Sequence, residues 1–316
     1  MSATPKKAIA ILCSDLHISA KRPVYRSTED DWWEAQARPL RHLKAWKEKY
    51  NCPVLCAGDV FDRWNASPEA INFSIEHLPH MIAIPGQHDL PHHNIAELPK
   101  SAFWTLVCTN RIQFGTSSSS LLYYDINIEV HGFPYGTPLP PADTITNTDK
   151  IRIALIHEYI WIKDCRYEGA PIENKIQLNT EKYDGWDIIV YGDNHHGFTC
   201  TNSMGNTHIV NAGSTIIRKK NERDYQPVVW IACCQEEAGI TIEPFPLASP
   251  MDTFFTGVDT PLDNKDFDMN LFLAQLAALG STDLDFEESL KNHCKTAVTD
   301  DMVRDLIGEL LEKHRD

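Results

Sequence analysis

Five apolar runs of the chain, each of the kind that forms a buried strand, end directly at side chains that can bind metal ions. These side chains are Asp15, His17, Asp59, Gln87, His88, His157, Asp193 and His195. In α/β proteins the carboxyl ends of parallel strands lie along one edge of the sheet, and ligands bind there. We therefore expect these side chains to come together at one edge.

Two of the runs are followed by the same spacing, an aspartate and then a histidine two residues later: Asp15 and His17, Asp193 and His195. In an extended segment such residues point the same way, so a carboxylate and an imidazole can bind one ion. This mixture of donors suits Mn, Fe or Zn better than calcium. Because there are more donors than one ion needs, we predict two divalent ions ~3.5–4 Å apart, bridged by Asp59.

The composition is that of an ordinary globular protein. Of the 316 residues, 42% are hydrophobic and 23% are charged, which is enough for a substantial core. No run reaches the ~18 consecutive apolar residues of a membrane span, and the first residues do not form a signal peptide. The nine cysteines have no framework spacing, so we expect reduced thiols, a cytoplasmic location and no membrane partner.

The net charge of −15 bears on the possible substrates. An acidic protein is a poor match for binding nucleic acid over a broad basic face. Bound divalent cations would nevertheless supply positive charge locally. The charge therefore disfavours a nuclease without excluding one.

The first 110 residues alternate between strand and helix patterns, which predicts a mainly parallel sheet. A helical stripe begins at Thr28 and is interrupted by Pro39, Ser67 is the N-cap of a second helix, and residues 94–108 predict a third. Short strands dominate the residues that follow. We predict an α/β fold in which two sheets face each other and helices lie outside them.

The composition changes after Leu247. We predict a main domain over residues 1–247, a linker over 248–268 and a helical C-terminal extension over 269–316. The last helix is amphipathic and has an apolar face to bury. We expect that face to pack on the main domain, and a second copy of the chain or a partner protein is the alternative.

The metal-ligand runs form an ordered series that resembles the calcineurin-like metallophosphoesterases, whose motifs are D-x-H, G-D-x-x-D, G-N-H-D/E, a lone His and G-H-x-H. The series in this chain reads Asp15-Leu16-His17, Gly58-Asp59-Val60-Phe61-Asp62, Gly86-Gln87-His88-Asp89, His157 and Gly192-Asp193-Asn194-His195. Each motif alone is weak, but five in this order are specific. The resemblance implies a four-layer αββα sandwich and a dinuclear metal-dependent phosphoesterase, whose catalytic domain would be residues 1–247.

The resemblance also implies which residues carry the chemistry. It assigns to a first metal ion Asp15, His17, Asp59 and His195. It assigns to a second ion Asp59, Gln87, His157 and Asp193. His88 would contact the scissile phosphate or protonate the leaving oxygen, and Asp89 would hold His88 in place.

Two positions depart from the family pattern, and both fall on the second metal ion. Gln87 stands where the family has Asn, and Asp193 stands where it usually has His. The anionic oxygen favours harder ions, so we expect Mn first, with Mg, Fe or Zn as alternatives, while the longer Gln87 arm loosens the site. His196 is an alternative ligand for this ion.

Within the family, the chain looks most like the SbcD-type DNA-repair nucleases and their phage relatives. The similarity rests on Gly213-Ser214-Thr215, Arg218, Glu222-Arg223 and the run from Ile84 to Pro91. It implies a DNA exonuclease or endonuclease with an ATPase-type partner subunit or a homodimer. Two other functions stay open: a nucleotide or small-molecule phosphodiesterase or phosphatase, and a non-catalytic metal-binding scaffold that engages a partner through its C-terminal helices.

Further residues near the motifs have competing interpretations. We expect Asp62 to orient a neighbouring group rather than bind metal. Trp64 belongs to the core or lines the substrate cleft, and Arg218 makes a phosphate contact or a surface ion pair. We expect positions on the rim or in solvent for His92, His93, His131 and His196.

Overall fold

The computed structural model describes residues 6–115, 119–123, 126–140, 150–163, 165–166, 170–235, 239–247, 249 and 251–255. The chain divides into two units, Met1–Phe255 and Thr256–Asp316. Every described residue belongs to the first unit. The predicted helical extension at 269–316 and most of the predicted linker at 248–268 lie outside the described residues, and both stay predictions.

The described residues contain strands and α-helices in alternation, followed by strands. The strands are β1 (Lys7–Cys13), β2 (Val54–Cys56), β3 (Met81–Ala83), β4 (Ile112–Phe114), β5 (Ser119–Tyr123), β6 (Ile126–Phe133), β7 (Ile151–His157), β8 (Ile188–Gly192), β9 (Phe198–Thr201), β10 (His208–Asn211), β11 (Val228–Gln235) and β12 (Gly239–Pro246). The helices are α1 (Trp32–Tyr50), α2 (Pro68–His77) and α3 (Ala102–Cys108). None of these helices combines the length and the apolar composition that a membrane span requires.

The strands form two six-stranded sheets. The first has the order β12-β11-β1-β2-β3-β4, and its strands β1 to β4 are parallel. The second has the order β5-β6-β7-β8-β10-β9, and its strands β6, β7, β8 and β10 are parallel. The predicted α/β class with two sheets is confirmed, and the strands that lead into the candidate metal ligands are parallel within each sheet.

Apolar side chains fill the space between the two sheets and the space under the helices. Ile9 and Leu12 of β1 lie in one buried cluster with Ile153 of β7. On the other face of the first sheet, Ile11 is buried in a cluster with Leu40 of α1. The first sheet is therefore covered on one face by the second sheet and on the other by helices.

Irregular structure covers the outer face of the second sheet in the part of the chain described. Trp186 and Tyr191 are buried there, beneath a segment with short 3₁₀ turns at Ile172–Asn174 and Glu181–Tyr183. The segment contains Pro171 and has no apolar stripe at helical spacing, so it carries no helical signal. Over these residues the fourth layer of the predicted αββα sandwich is built from turns.

Helix α1 begins later than its sequence pattern predicts, and Pro39 does not interrupt it. Its N-cap is Asp31, whose carboxylate accepts hydrogen bonds from the backbone N–H groups of Trp33 (2.9 Å) and Glu34 (3.1 Å). The preceding acid, Glu29, is buried in ion pairs instead of lying in the first turn. The cap therefore fixes where the helix starts, because it satisfies two N–H groups that the helix leaves free.

The first turn of α1 fixes the segment that follows the first metal-ligand motif. The indole of Trp32 donates a hydrogen bond to the Ser19 carbonyl (2.8 Å), and the Gln36 amide both donates to that carbonyl (3.1 Å) and accepts from the Ser19 N–H (2.9 Å). Ser19 lies two residues after His17. Helix α1 thereby anchors the loop that carries a candidate ligand.

The helix predicted over residues 94–108 is divided in two. A 3₁₀ turn at Ile95–Lys100 contains Pro99, and α3 then begins with Ser101 as its N-cap. The Ser101 hydroxyl accepts a hydrogen bond from the Trp104 N–H at 3.2 Å. A new start follows the proline because proline cannot donate a backbone hydrogen bond.

Four charged side chains form a buried group that we call the Arg26 cluster: Arg26, Glu29, Arg38 and Asp252. Arg26 and Arg38 each pair with both acids, and the Asp252 distances are 2.9 Å and 2.7 Å. Arg26 is fully buried and also donates to the Ile217 carbonyl at 3.0 Å. The cluster therefore joins the last described residues to the loop around Ile217.

The cap of α1 provides a test of this fold. We expect Asp31→Ala to lower the free energy of unfolding by about 1 kcal/mol, because two amide N–H groups lose their acceptor. Urea denaturation of the full chain measures the change. The matched control is Asp30→Ala, which removes an exposed carboxylate one residue outside the cap; an equal loss in both variants would contradict the assignment of Asp31.

Candidate metal centre

The strand ends bring the candidate residues together. Among the described His, Cys, Asp and Glu residues, three groups place their ligand atoms within 4.8 Å of one another. The groups are Asp15, His17 and His195; Asp15, Asp59 and His157; and His17, Asp62 and His88. Residues that are up to 180 positions apart in the chain therefore meet at one site.

The first cluster contains two facing imidazoles and two carboxylates. The Nε2 atoms of His17 and His195 are 3.1 Å apart, and the nearest oxygen of Asp15 lies 3.6 Å and 3.9 Å from them. Asp59 Oδ2 is 3.7 Å from His17 Nε2. Nδ1 of His195 donates to Glu222 at 2.7 Å, which leaves its Nε2 lone pair directed at the cluster.

The second cluster is centred on Asp59. His157 Nε2 is 3.4 Å from Asp59 Oδ2, and both side chains are buried. Nδ1 of His157 donates to the Ala57 carbonyl at 2.6 Å. Because a carbonyl only accepts, the Nε2 atom of His157 is the one free to bind a cation. Asp59 Oδ2 thus lies 3.7 Å from a histidine nitrogen of the first cluster and 3.4 Å from one of the second, and its bridging of two ions stays a prediction.

The two residues that depart from the family pattern contact each other. The Gln87 amide donates to Asp193 Oδ1 at 2.6 Å, and the Asp193 backbone N–H donates to the Asp15 carboxylate at 3.1 Å. Gln87 is one methylene longer than Asn, and Asp193 is shorter than His. The longer Gln87 side chain thus reaches the shorter Asp193 side chain directly. Ligation of metal by either residue stays a prediction.

Four candidate ligands have a left-handed backbone. Their φ angles are 53° for Asp15, 44° for His17, 52° for Asp59 and 79° for Asp193. Such a conformation costs a non-glycine residue about 1–2 kcal/mol, and it concentrates at functional sites. Hydrogen bonds from the Asp15 N–H to the Gly58 carbonyl and from the His17 N–H to the Asp59 carbonyl, both 3.0 Å, hold the turns.

Two glycines allow the loops to approach the ligands closely. Gly58 has a φ of 105°, and a Cβ added to it would lie 2.3 Å from Nδ1 of His157. A Cβ added to Gly86 would lie 2.1 Å from Oδ1 of Asp59. These glycines of the motifs are therefore required by the space beside the ligands.

The residues at the site fit a pair of divalent metal ions. Asp59 Oδ2, His157 Nε2 and Gln87 Oε1 are buried atoms that make no hydrogen bond within the described ranges. Buried polar atoms are normally paired, so these three atoms are available to bind cations. Carboxylate, amide and imidazole donors together are the set that Mn, Fe and Zn accept.

The family model described as calcineurin-like phosphoesterase matches residues 10–197. This is more than half of the 316 residues. The chain belongs to this family. The match supports the metal-dependent hydrolase that the ordered motifs predict, and the clustered Asp and His residues suit a dinuclear divalent site. A comparison with curated proteins found no match.

Several solved structures are similar to this phosphoesterase at low identity. The NAD nucleotidase of Haemophilus influenzae is 13% identical, with a TM-score of 0.46 over 81% of this chain and 54% of its own. A putative 5'-nucleotidase of Staphylococcus aureus is 13% identical, with a TM-score of 0.46 over 87% and 58%. The sulfate thiohydrolase of Thermus thermophilus is 13% identical, with a TM-score of 0.48 over 80% and 59%. The chain thus spans between half and three-fifths of the length of these proteins.

The electrostatics of the phosphoesterase site favour positive charge beside Asp59. Burial alone would lower the pKa of His157, but attraction by the Asp59 carboxylate outweighs it and raises that pKa to about 10. Burial works in the opposite direction on Asp59, whose pKa is lowered on balance by His157 and His17. A proton on His157 therefore provides the positive charge that a metal ion would supply.

His88 is held by a different residue from the one predicted. Its Nδ1 donates to the backbone carbonyl of Asp62 at 2.8 Å. Asp89 instead accepts hydrogen bonds from the backbone N–H groups of Val60 (3.0 Å), Phe61 (2.9 Å) and Gly86 (3.1 Å). Asp89 therefore fixes the loop that presents Asp59. Sequence spacing could not distinguish the two roles, because Val60 and Phe61, which donate to Asp89, lie in the same loop as Asp62, which accepts from His88.

The side chain of Arg218 makes an ion pair. It donates to Asp62 Oδ1 at 2.7 Å, and Asp62 Oδ1 lies 3.6 Å from Nδ1 of His17. Only 12% of the Arg218 side chain is exposed, so the pair is mostly buried and not at the surface. The ring of His196 stacks on Tyr225 at 5.5 Å, and His196 is not part of any of the three ligand groups.

Glu222 is the functional residue whose role the sequence did not reveal. Its Oε1 accepts from His195, and its Oε2 accepts from the backbone N–H groups of Arg218 (2.7 Å) and Lys219 (3.0 Å). Burial alone would raise the pKa of Glu222, but the hydrogen bond from His195 lowers it to about 2. The one signal in the sequence was that Glu222 belongs to the segment, from Gly213 to Arg223, that resembles the SbcD-type nucleases.

We expect Glu222→Gln to weaken metal binding at the first cluster about 10- to 100-fold. The glutamine offers one oxygen to three N–H donors, so its NH₂ group would face either His195 or the loop backbone. Titration of Mn²⁺ followed by electron paramagnetic resonance measures the affinity. Glu34→Gln, which changes an exposed acid paired with Arg41, is the control, and equal affinities in the two variants would count against the assigned role.

Metal binding should also release protons. With a pKa of about 10, His157 is protonated at pH 7–8 in the metal-free protein, and it must lose that proton to bind an ion. We expect at least one proton to be released per protein, and the affinity to fall as the pH is lowered. Calorimetric titration with Mn²⁺ in two buffers of different ionisation enthalpy measures the release; identical heats would refute it.

Proposed function

We propose that this phosphoesterase hydrolyses phosphodiester bonds in DNA and that its preferred metal ion is Mn²⁺. An ATPase-type partner subunit or a second copy of the chain, engaged through residues 269–316, belongs to the same proposal. The observation that carries the hydrolytic part is the position of one exposed imidazole beside the buried ligand clusters.

That imidazole belongs to His88. Its Nε2 lies 4.0 Å from Asp59 Oδ2, and 43% of its side chain is exposed, whereas Asp59 is 1% exposed. The Asp62 carbonyl holds a proton on Nδ1, so Nε2 is the atom that faces an incoming substrate. The imidazolium form can therefore give the Nε2 proton to the leaving oxygen.

The other residues of the site would hold the metal ions and fix the position of His88. When bound, a pair of divalent ions supplies positive charge for the phosphoryl oxygens and lowers the pKa of water. The first ion would be held by Asp15, His17, Asp59 and His195, and the second by Asp59, Gln87, His157 and Asp193. The backbone N–H of His88 donates to Asp59 Oδ1 at 3.0 Å, so the proton donor and the bridging carboxylate keep a fixed separation.

Local charge supports a polyanionic substrate. Lys219, Lys220 and Arg223 are exposed on the loop whose Glu222 contacts His195. Arg223 is paired with Asp224 at 3.4 Å, so the two lysines supply most of the positive charge of this loop. This basic loop therefore lies beside the first cluster, although the whole chain carries a net charge of −15. Positive charge next to a phosphoesterase centre steers phosphates towards it. The same loop carries the segment that resembles the SbcD-type nucleases.

A second candidate is the hydrolysis of nucleotides or other small phosphodiesters. The excess of 44 acidic over 29 basic residues favours it, because a small substrate needs no extended basic surface. The two candidates share the metal centre and His88. The two candidates differ in the size of the substrate: DNA extends beyond the metal centre, and a small phosphodiester does not.

A panel of substrates and metal ions tests both candidates. We expect the wild-type protein to degrade linear DNA in Mn²⁺, and His88→Ala to lower kcat about 10²- to 10⁴-fold with unchanged metal content, because the backbone N–H to Asp59 remains. His80→Ala is the matched control, since His80 is exposed and precedes β3 at the end away from the site. Turnover of bis(nitrophenyl) phosphate or cyclic nucleotides without DNA cleavage would favour the second candidate, and no turnover of any substrate would refute both.

A further inference from the structure

Four ring side chains belong to segments that adjoin the metal centre and have no part in the hydrolytic step. Trp64 lies two residues after Asp62, His92 and His93 lie four and five residues after His88, and Tyr135 lies near His157. The ring centroids of Trp64 and His92 are 6.4 Å apart, and those of His93 and Tyr135 are 5.9 Å apart. The Tyr135 ring also lies 6.4 Å from the ring of His157. Two pairs of rings therefore flank the segment that presents His88, and one pair reaches the second cluster.

The backbone beneath the larger rings is fixed. The Trp64 carbonyl accepts a hydrogen bond from the N–H of Ala102, the first residue of α3, at 2.7 Å, and the Tyr135 N–H donates to the Pro85 carbonyl at 3.2 Å. Pro85 immediately precedes the motif that contains His88. Both side chains are partly exposed and stand on a backbone that these hydrogen bonds hold in place, as a preformed binding site requires.

The two histidines are held in a strained turn that their packing does not explain. His92 and His93 have φ angles of 52° and 56°, in the left-handed region that non-glycine residues avoid. Both side chains are exposed, so the strain is not offset by burial of the imidazoles. The buried residues before them, Leu90 and Pro91, anchor the turn and direct it outwards. Strain of this kind concentrates where a ligand is bound.

We propose that Trp64, His92, His93 and Tyr135 form a nucleobase platform that binds, by stacking, a base next to the scissile phosphodiester. This inference rests on the proposed function. It adds a binding site for the base, which is the part of the substrate that the metal centre does not contact. A nucleotide has a phosphate, which the metal centre would bind, and a flat base, which the rings would bind. Every base has a face that can stack on an aromatic ring. The platform would therefore tolerate different base sequences.

The test compares two short oligonucleotides with the same sugar-phosphate backbone, one with bases and one with abasic residues. On the full-length wild-type protein in Mn²⁺, we expect the KM for the oligonucleotide with bases to be about 5- to 150-fold lower. Trp64→Ala should remove most of this difference by raising the KM for the base-containing substrate alone. Trp64→Phe, which keeps a stacking face, should retain most of it.

Binding of both oligonucleotides to the metal-loaded His88→Ala variant is measured in parallel by fluorescence anisotropy. Equal KM values and equal affinities for the two oligonucleotides would overturn the platform, as would a Trp64→Ala variant that weakens both equally. Failure of the proposed function has a different signature: the wild-type protein would cleave neither oligonucleotide in any metal. The anisotropy comparison would still decide whether bases are bound.

Discussion

The burial of two carboxylates at the strand ends is the constraint on which the rest of the site depends. Asp15 and Asp59 are almost completely removed from solvent, and a buried anion is stable only beside positive charge or hydrogen-bond donors. The surrounding residues supply both. Backbone N–H groups of Asp193 and His88 bind the two carboxylates, and His157 adds a positive charge next to Asp59. The site is therefore built to hold cations before any substrate arrives.

Much of the fold and of the ligand set follows from the sequence. The runs that end at Asp15 and Asp59 form the parallel neighbours β1 and β2, and the runs that end at His157 and Asp193 form the parallel neighbours β7 and β8. The side chains of each pair therefore reach the same edge of their sheet. The ordered motifs add specificity that no single motif has. The helical layer on the first sheet was predictable as well, because strand and helix patterns alternate at the start of the chain. The layer of turns on the second sheet was not.

The details that could not be predicted depend on contacts between loops. Helix α1 starts after Asp31, whose carboxylate accepts from two free N–H groups. Glu29 and Asp30 lie just before it, and the sequence does not show which of these acids is the cap. Asp89 was expected to hold His88, but it binds the backbone around Val60, a partner that no spacing rule indicates. Glu222 reaches His195 only because the loop at Ile217 folds back to the first cluster. Such contacts are set by three-dimensional proximity of polar atoms and leave no periodic pattern.

The Arg26 cluster determines where the catalytic unit can be shortened. The composition changes after Leu247, yet Asp252 supplies one of the two carboxylates that neutralise Arg26 and Arg38. A fragment that stops at residue 247 would leave two guanidinium groups beside Glu29 alone, and loss of a partner from a buried ion pair costs about 3–5 kcal/mol. We therefore expect a stable fragment to need Asp252, which lies beyond the predicted boundary at residue 247.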